Sequence, residues 1–206
     1  MAAKNILICI DGTGMTARNQ TNVFKFYSAV SDSDTQIKFY FEGVGTRWFT
    51  KVLGGVCGLG IKRRILSAYS AIIDTFSPGD ELYLVGFSRG AYAVRALSGL
   101  LFFSGVLMRD HKDKMEAAWR HYRSRGHSKE FDPQVFSQPC VVALLSCFDT
   151  VGAIGLPFTR SYAQGWFPHL YPMPNVRTVR QALSIDEKRR FFKPLVFEER
   201  PPGFTE

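Results

Sequence analysis

The sequence predicts an α/β domain in which helices cover both faces of a mostly parallel sheet. Its apolar runs are rich in β-branched residues and are continuous instead of alternating, as in strands that are buried on both faces. Amphipathic helical patterns separate these runs along the chain. The chain has 206 residues, of which 46% are hydrophobic and 21% are charged. This length and composition, without an internal repeat, predict a single domain over residues 1–206.

Four apolar runs predict the strands: Asn5–Ile10, Ile37–Phe41, Glu81–Phe87 and Val141–Phe148. Cys9 and Cys147 fall inside these runs, where a cysteine is usually a small buried hydrophobe. The four cysteines of the chain follow neither metal-ligand nor disulfide spacing, and the carboxylates and histidines do not gather at ligand spacing. The sequence therefore predicts a reducing compartment, no metal site and no cofactor.

Helical periodicity predicts four helices. Ile61–Phe76 places its apolar residues on one stripe, and the turn residues of Ser77–Asp80 then end the helix. Ala91–Phe103 is apolar on nearly all sides, which is typical of a helix buried against a sheet. Lys112–Arg125 is charged and amphipathic, and Arg180–Phe192 is the fourth candidate.

Two further segments are expected to lie near a binding site. Residues 152–175 are rich in glycine, proline and aromatic side chains and have no clear period, which predicts a long loop or cap. Residues 52–60 are apolar and studded with glycine. We expect that segment to pack close to another backbone or to border the cleft.

The formal net charge of +8 is the unusual feature of the composition. A basic surface attracts anions such as nucleic acids, acidic lipid headgroups or an acidic partner. The positive residues form small scattered clusters and no nucleic-acid-binding motif is present, so the pattern disfavours a nucleic-acid partner. No apolar run approaches the ~20 residues that span a bilayer, and the first residues lack a signal-peptide pattern. We therefore expect a cytoplasmic protein, and its oligomeric state stays open.

Gly86-Phe87-Ser88-Arg89-Gly90 fits the pattern G-x-S-x-G between a predicted strand and a predicted helix. Small residues are needed at both ends because the serine backbone is strained and its neighbours crowd the strand and the helix. The turn lifts the serine hydroxyl out of the sheet to a helix N-terminus, where N–H groups and the helix dipole favour a developing oxyanion. We interpret Ser88 as a catalytic nucleophile; an ordinary turn serine is the alternative.

Asp149 ends the apolar run VVALLSCF, so its carboxylate is expected at the same edge of the sheet as Ser88. In α/β-hydrolases the acid follows the serine along the chain and the histidine follows the acid. Position and order therefore predict that Asp149 is the acid of a catalytic triad. An aspartate that caps a turn is the alternative.

The end of the first strand supplies candidates for the oxyanion hole. One donor in such enzymes comes from an early strand loop and the other is the N–H of the residue after the nucleophile. The loop donors predicted here are the amides of Gly12 and Thr13 in CIDGTG, and the second donor is the N–H of Arg89. Asp11 precedes this loop and either borders the active site or is an ordinary turn residue.

Several motifs occur in the order of one known family across nearly the whole chain. They are IDGTG (10–14), TNV (21–23), YFEGVGT (40–46), GGVCGLGIKRRI (54–65), residues 68–101 around GFSRG, CFDTVGAIGLP (147–157) and VRQALSIDEKRRFFKP (179–194). Through these motifs the chain resembles the catalytic domain of type VI secretion lipase effectors, family one, and related α/β-hydrolases. The resemblance implies an α/β-hydrolase-like fold and a serine esterase or phospholipase with Ser88 as nucleophile and Asp149 as acid.

The same resemblance implies the substrate and the partners. Characterised effectors of this type cleave acyl esters of membrane phospholipids, so an acyl ester or phospholipid is the expected substrate. Peripheral contact with an anionic membrane would suit the basic surface and the apolar loop at 152–175. Delivery by a type VI secretion system is a further implication.

The triad histidine is where this sequence departs from the family. Relatives carry a segment of the form W-F-x-G-x-H-x-D-V-G-G, and this sequence ends in EERPPGFTE about where that segment should begin. A second position where relatives often have histidine is Gln181 here. His169 follows Asp149 in the required order but matches no triad position of the family. The other three histidines precede the acid: His111, His121 and His127.

Two interpretations of the missing base stay open. In the first, the chain is a C-terminally truncated hydrolase that has its nucleophile and acid but lacks its base. In the second, it is a short variant in which His169 or another subunit supplies the base, or in which catalysis is lost and a module that binds lipid or protein remains. Loss of a triad member can leave ~10³–10⁴-fold catalysis over water, so slow esterase activity is compatible with a missing histidine.

Overall fold

The computed structural model describes residues 2–43, 56–151, 171–188 and 195–199. Its strands are β1 (Asn5–Ile10), β2 (Gln36–Phe41), β3 (Glu81–Phe87), β4 (Val106–Leu107), β5 (Ser137–Gln138), β6 (Val141–Phe148) and β7 (Val176–Ala182). Five of them form a parallel sheet in the order β2-β1-β3-β6-β7, and β4 pairs with β5 in an antiparallel pair. The predicted α/β class with a mostly parallel sheet is confirmed.

The helices are α1 (Asn22–Ala29), α2 (Val56–Thr75), α3 (Arg89–Ser104), α4 (Met115–Arg123) and the short α5 (Pro133–Phe136). Helix α1 packs on one face of the sheet, whereas α2 and α3 pack on the other face and α4 packs on α3. The sheet is therefore covered on both sides, as predicted. Among the described helices, none is both long and apolar enough to cross a bilayer.

The core explains why the strands are continuously apolar. Successive side chains of a strand point to opposite faces. The isoleucines of β1 pack with α2 and α3, while Leu7 and Cys9 of the same strand pack with Val23 of α1. Cys9 and Cys147 are both buried, which confirms their prediction as small core residues.

A bulge in β6 changes the phase of that strand relative to β3. Leu82 is paired with Val142, but the next residue of β3, Tyr83, is paired with Leu144. Ala143 is thus an extra residue in β6, and the regular pairing then continues to the ends of both strands. Before the bulge the even-numbered Val142 faces the larger core, whereas after it odd-numbered residues do so.

Sequence and structure agree on most boundaries. Three predicted strands match β1, β3 and β6 to the residue, and β2 begins one residue earlier than predicted. Helix α2 begins at Val56, so part of the segment predicted to border the cleft at 52–60 is helical and residues 52–55 lie outside the described ranges. The predicted charged helix is divided into a 3-10 segment at Arg109–Lys114 followed by α4. Of the predicted cap, residues 152–170 lie outside the described ranges.

The prediction of a helix at Arg180–Phe192 is wrong. Residues up to Ala182 belong to β7, residues 183–188 are not helical, and residues 189–192 lie outside the described ranges. In β7 only Val176 is buried, and the exposed residues Arg177, Arg180 and Ala182 give an irregular alternation with partly buried ones. A pattern read from Arg180 onward misses this alternation because the strand begins four residues earlier.

Asp80 closes the turn between α2 and β3. Its carboxylate is buried, accepts hydrogen bonds from the amides of Lys4 and Ser77 at 2.8 and 2.9 Å, and forms an ion pair with the Lys4 ammonium at 2.7 Å. Burial alone would raise the pKa of Asp80, but the hydrogen bonds from Lys4 and Ser77 outweigh burial and lower it below its ordinary value. The charged carboxylate therefore ties the first residue before β1 to the turn before β3.

We expect Asp80→Asn to lower the free energy of unfolding at neutral pH by about 1–3 kcal/mol, because buried donors lose a charged acceptor. A carboxyl group with a depressed folded-state pKa stabilises the fold above its unfolded-state pKa of about 4 and loses this contribution as the pH falls through the folded-state value. The difference between variant and wild type in urea denaturation should therefore shrink below about pH 4. Asp113→Asn, which removes an exposed ion pair with Lys114, is the control and should change little. A difference that is constant down to pH 2 would contradict the assignment.

Candidate functional site

The carboxyl ends of four neighbouring strands bring polar residues to one edge of the sheet. Asp11 follows β1, Ser88 follows β3, Asp149 follows β6 and Ser184 lies two residues after β7. The last paired residues of β3 and β6 are Phe87 and Phe148, and they directly precede the serine and the aspartate. The amide of Ser88 donates a 2.8 Å hydrogen bond to the carbonyl of Phe148. The structure thus places Ser88 and Asp149 side by side at the same edge.

Ser88 sits in a strained turn between β3 and α3. Its φ of 54° and ψ of −118° are rare for a residue with a side chain. A Cβ on Gly86 would lie 2.5 Å from the carbonyl oxygen of Gly90, and a Cβ on Gly90 would overlap the carbonyl of Ile10. Both positions therefore require glycine. The serine is half-buried at the start of α3, where the first N–H groups of a helix point outward.

Asp149 also has a positive φ, of 47°, and is half-buried. Its amide donates to the carbonyl of Ala182 at 2.8 Å, and its Oδ1 accepts a long hydrogen bond of 3.4 Å from the amide of Ser184. These bonds hold the aspartate between the ends of β6 and β7. Ser184 was not among the residues that the sequence singled out.

The loop after β1 lies against the serine. A Cβ on Gly12 would be 3.2 Å from the Cβ of Ser88. The amide of Gly12 already donates a 2.8 Å hydrogen bond to Oδ1 of Asp11. One of the two loop amides predicted as oxyanion donors, that of Gly12, is therefore already engaged. The amide of Thr13 is the other predicted loop donor.

Asp11 organises this loop. Its carboxylate is 2% exposed and accepts hydrogen bonds from the hydroxyls of Thr21 at 2.6 Å and Tyr40 at 2.7 Å, in addition to the amide of Gly12. Burial, followed by the hydrogen bond to Asp11, raises the pKa of Tyr40 above its ordinary value. Thr21 in turn caps α1 by accepting from the amide of Phe24. One buried carboxylate thus joins the loop, α1 and β2.

Gly43 presses on the same loop from the end of β2. Its amide donates to the carbonyl of Met15 at 2.9 Å, and a Cβ on Gly43 would overlap the carbonyl of Gly12. The sequence alone predicts no role for Thr21, Tyr40 or Gly43. The available signal was their presence in the motifs TNV and YFEGVGT.

Residues 195–199 form a strap that links α3 to the turn after β6. The amide of Leu195 donates to the carbonyl of Thr150 at 2.8 Å, and its carbonyl accepts from Nη1 of Arg95 at 2.8 Å. Gln181 contacts the strap twice: Nε2 donates to the carbonyl of Leu195 and Oε1 accepts from the amide of Phe197. The Arg95 guanidinium also stacks 3.9 Å from the Phe197 ring. Both amide atoms of Gln181 are engaged in these bonds.

The described histidines lie far from Ser88. Helix α4, which carries His121, packs on the second half of α3, where Gly99 and Phe103 touch Tyr122. At about 1.5 Å of rise per residue, that part of α3 is roughly 15–21 Å from the start of the helix. His127 follows the same helix, and His111 packs on the ring of Phe136 next to β5. His169 lies outside the described ranges.

No group of three or more His, Cys, Asp or Glu side chains in the described part of the chain is placed to hold a metal ion. The chemistry that the edge offers is instead that of a hydroxyl, a neighbouring carboxylate and backbone amides. A hydroxyl at a helix start, beside a loop that packs against it, is an arrangement that suits attack on a carbonyl carbon.

Comparisons with known proteins agree with the motifs. The family model described as "T6SS, Phospholipase effector Tle1-like, catalytic domain" matches residues 4–205. The chain is also 30% identical over 234 residues to the uncharacterized protein YEL023C of Saccharomyces cerevisiae. That similarity covers 97% of the chain and 33% of the yeast protein, so the chain spans about a third of the length of this relative.

We expect Tyr40→Phe to destabilise the loop after β1, because the buried carboxylate of Asp11 loses one of its hydroxyl donors. The free energy of unfolding should fall by about 1.5–3 kcal/mol, the range for hydrogen bonds to charged groups. Backbone amides of residues 12–15 should exchange faster with deuterium than in the wild type. Tyr83→Phe is the matched control, since it removes a hydroxyl bonded to Glu81 at the other end of the sheet. Equal exchange in both variants would show that Asp11 does not depend on Tyr40.

We expect Gln181→Leu to loosen the strap without unfolding the domain. The substitution keeps the apolar part of the side chain and removes the bonds to Leu195 and Phe197. Hydrogen exchange of residues 195–199 should become at least about tenfold faster, because two hydrogen bonds of about 0.5–1.5 kcal/mol each are lost. The control is Arg180→Leu on the same strand, whose guanidinium is exposed and bonds only its neighbour's carbonyl among the contacts described. Unchanged exchange in Gln181→Leu would mean that Arg95 and Thr150 hold the strap by themselves.

Proposed function

Because the chain belongs to the family of Tle1-like phospholipase effector catalytic domains, we propose that it is a serine hydrolase that cleaves acyl ester bonds of phospholipids. The observation that carries this proposal is the position of Ser88. The residue lies in a strained turn at the start of α3, beside Asp149 and the loop of Gly12. Such a turn is costly to form and is typical of a nucleophile that must stand clear of the sheet.

In the proposed reaction, Oγ of Ser88 attacks the carbonyl carbon of the ester and its proton passes to a general base. The negative charge that develops on the carbonyl oxygen is stabilised by the N–H groups of Thr13 and Arg89. The intermediate then expels the lysophospholipid alcohol, which takes the proton, and leaves the acyl group on Ser88. Water attacks this acyl-enzyme and releases a fatty acid, which restores the serine.

In this reaction Asp149 orients the base and stabilises its protonated form. The hydrogen bond from Ser184 engages Oδ1 of the aspartate, so Oδ2 is the oxygen assigned to the base. Asp11 does not touch the reacting atoms in this scheme. It is a positioning residue that holds the loop of Thr13 through Gly12, Thr21 and Tyr40.

The base in this proposal is a histidine outside the described ranges. The three described histidines are remote from Ser88, and Gln181 is engaged with the strap. His169 is the candidate within the printed sequence, and His169→Ala tests it. The distance between the described histidines and Ser88 also favours a second candidate function, a hydrolase-fold module that binds lipid without turnover. Delivery of the protein by a type VI secretion system belongs to the same family-based proposal.

We expect a fluorophosphonate probe to label the wild-type protein and Ser88→Ala to abolish the labelling, because the variant lacks the attacking oxygen. Release of fatty acid from phosphatidylcholine should fall by at least about 10³-fold in the same variant, as for other triad nucleophiles. Ser67→Ala is the matched control, since that serine is exposed on α2 and donates only to the carbonyl of Arg63 among the contacts described.

Three results discriminate between the candidates. Labelling that persists in Ser88→Ala would reject this serine as the nucleophile. Asp149→Asn should slow labelling of Ser88 while leaving the fold intact, and an unaffected rate would remove Asp149 from the mechanism. Binding of vesicles by wild type and Ser88→Ala alike, with no fatty acid released by either, would favour the binding module.

A further inference from the structure

Three exposed apolar side chains belong to two segments that are hydrogen-bonded to the turn of Asp149. Leu183, Ile185 and Val196 are 48%, 98% and 56% exposed, and we call them the apolar rim. Leu183 and Ile185 flank Ser184 in the turn that follows β7, and Ile185 is at the tip of that turn. Large apolar side chains that cluster at the surface mark contact sites more often than scattered ones do.

Hydrogen bonds fasten the apolar rim to the site. Ser184, between two of the three residues, donates its amide to Asp149, and the carbonyl of Ala182 accepts from the amide of the same aspartate. Val196 belongs to the strap. The residue before it, Leu195, donates its amide to the carbonyl of Thr150. All three residues therefore lie at the edge of the sheet where the carboxyl ends of the strands meet, which we call the carboxyl edge. Each is within two residues of a group that is hydrogen-bonded to Asp149 or Thr150.

The rim is not matched elsewhere on the described surface. The large hydrophobic residues that are exposed in the described ranges are Phe26, Val135, Leu183, Ile185 and Val196. Three of these five are at the carboxyl edge, and the remaining two stand singly on α1 and α5. A single exposed apolar side chain needs no explanation, but three such side chains in the segments around Asp149 do.

We propose that the apolar rim inserts into the surface of a phosphatidylcholine bilayer and so brings the site to its lipid. This inference rests on the proposed function. A stable second copy of the chain would need about 800 Å² of buried surface on each partner, which is more than three side chains supply. A bilayer accepts a few inserted apolar side chains without a complementary shape.

The described charges around the rim are of both signs, so among the described residues they give no preference for anionic headgroups. The described charged residues close to the rim in sequence are Arg180, Asp186, Glu187, Lys188, Glu198 and Glu199. Several of the positive residues that give the chain its net charge lie instead on and around α4, at the far end of α3 from Ser88. Contact between apolar side chains and a phosphatidylcholine surface, which carries no net charge, should depend little on salt.

The test measures co-sedimentation of the protein with phosphatidylcholine vesicles in a Ser88→Ala background, where hydrolysis cannot alter the lipid. The double variant Ile185→Ser/Val196→Ser should bind at least about tenfold more weakly, because two apolar side chains no longer leave water. Val135→Ser is the matched control: this valine is 53% exposed, close to the 56% of Val196, and lies on α5. The Val135→Ser variant should bind vesicles as tightly as the parent protein at both 0.1 and 1 M NaCl.

The substituted side chains are exposed, so the variants should keep the unfolding free energy of the parent, which urea denaturation checks. As a second readout, Ile185→Trp should show additional fluorescence quenching by brominated phosphatidylcholine. The inference would be overturned if the double variant bound vesicles as tightly as the parent protein, or if Val135→Ser lost as much binding as the double variant. Absence of additional quenching in Ile185→Trp would also overturn it. The inference would also be overturned if sedimentation showed that the parent protein is a dimer and that the double variant is not, because the rim would then contact a second copy of the chain.

These outcomes can be separated from failure of the proposed function. Binding in the Ser88→Ala background requires no turnover, so rim-dependent binding without fatty-acid release by the wild type would leave the inference standing and reject the hydrolase. In an active wild type, the double variant should lose activity on vesicles and keep its activity on a water-soluble short-chain ester. Loss of both activities would show that the rim acts on the reacting groups and not on lipid contact.

Discussion

The close approach of helix α3 to the end of β1 is the constraint on which the site depends. At Gly90 the helix backbone meets the carbonyls of Ile10 and Asp11 with no room for a side chain. This contact forces the chain through the strained turn at Ser88 and sets the loop of Gly12 against the serine. Nucleophile, loop and helix start are therefore fixed by backbone packing, before any side chain of the site is considered.

The parts of the fold that the sequence predicts well are those set by local chemistry or by burial on both faces. The runs at β1, β3 and β6 are continuously apolar because helices cover both sides of the sheet, and their boundaries are visible where polar turn residues begin. The position of Ser88 follows from glycines that bracket it at short range. Asp149 follows from a strand end, and the parallel pairing of β3 and β6 brings it beside the serine.

What the sequence could not predict depends on distant partners. Asp11 owes its role to Tyr40, 29 residues away, and Arg95 meets the strap 100 residues further along the chain. Neither contact leaves a local periodicity. The sequence of β7 does not predict a strand clearly because β7 lies at the margin of the sheet in the described residues, where most of its side chains are only partly buried or exposed and two valines are each followed by an arginine. The exposure of the rim could not be predicted from the sequence either, because nothing in the sequence distinguishes an exposed isoleucine in a turn from a buried one.

The extra residue at Ala143 has a consequence for how the domain tolerates change. With regular pairing from Val142 onward, Phe87 would stand opposite Cys147, and every later side chain of β6 would exchange faces. The aspartate would then leave the strand one position, or about 3.3 Å, further along. Length variation among homologues should accordingly be tolerated at Ala143, whose removal would restore regular pairing with Phe87 still opposite Phe148. It should be rare within residues 144–148, where a one-residue deletion would exchange the faces of the side chains that follow.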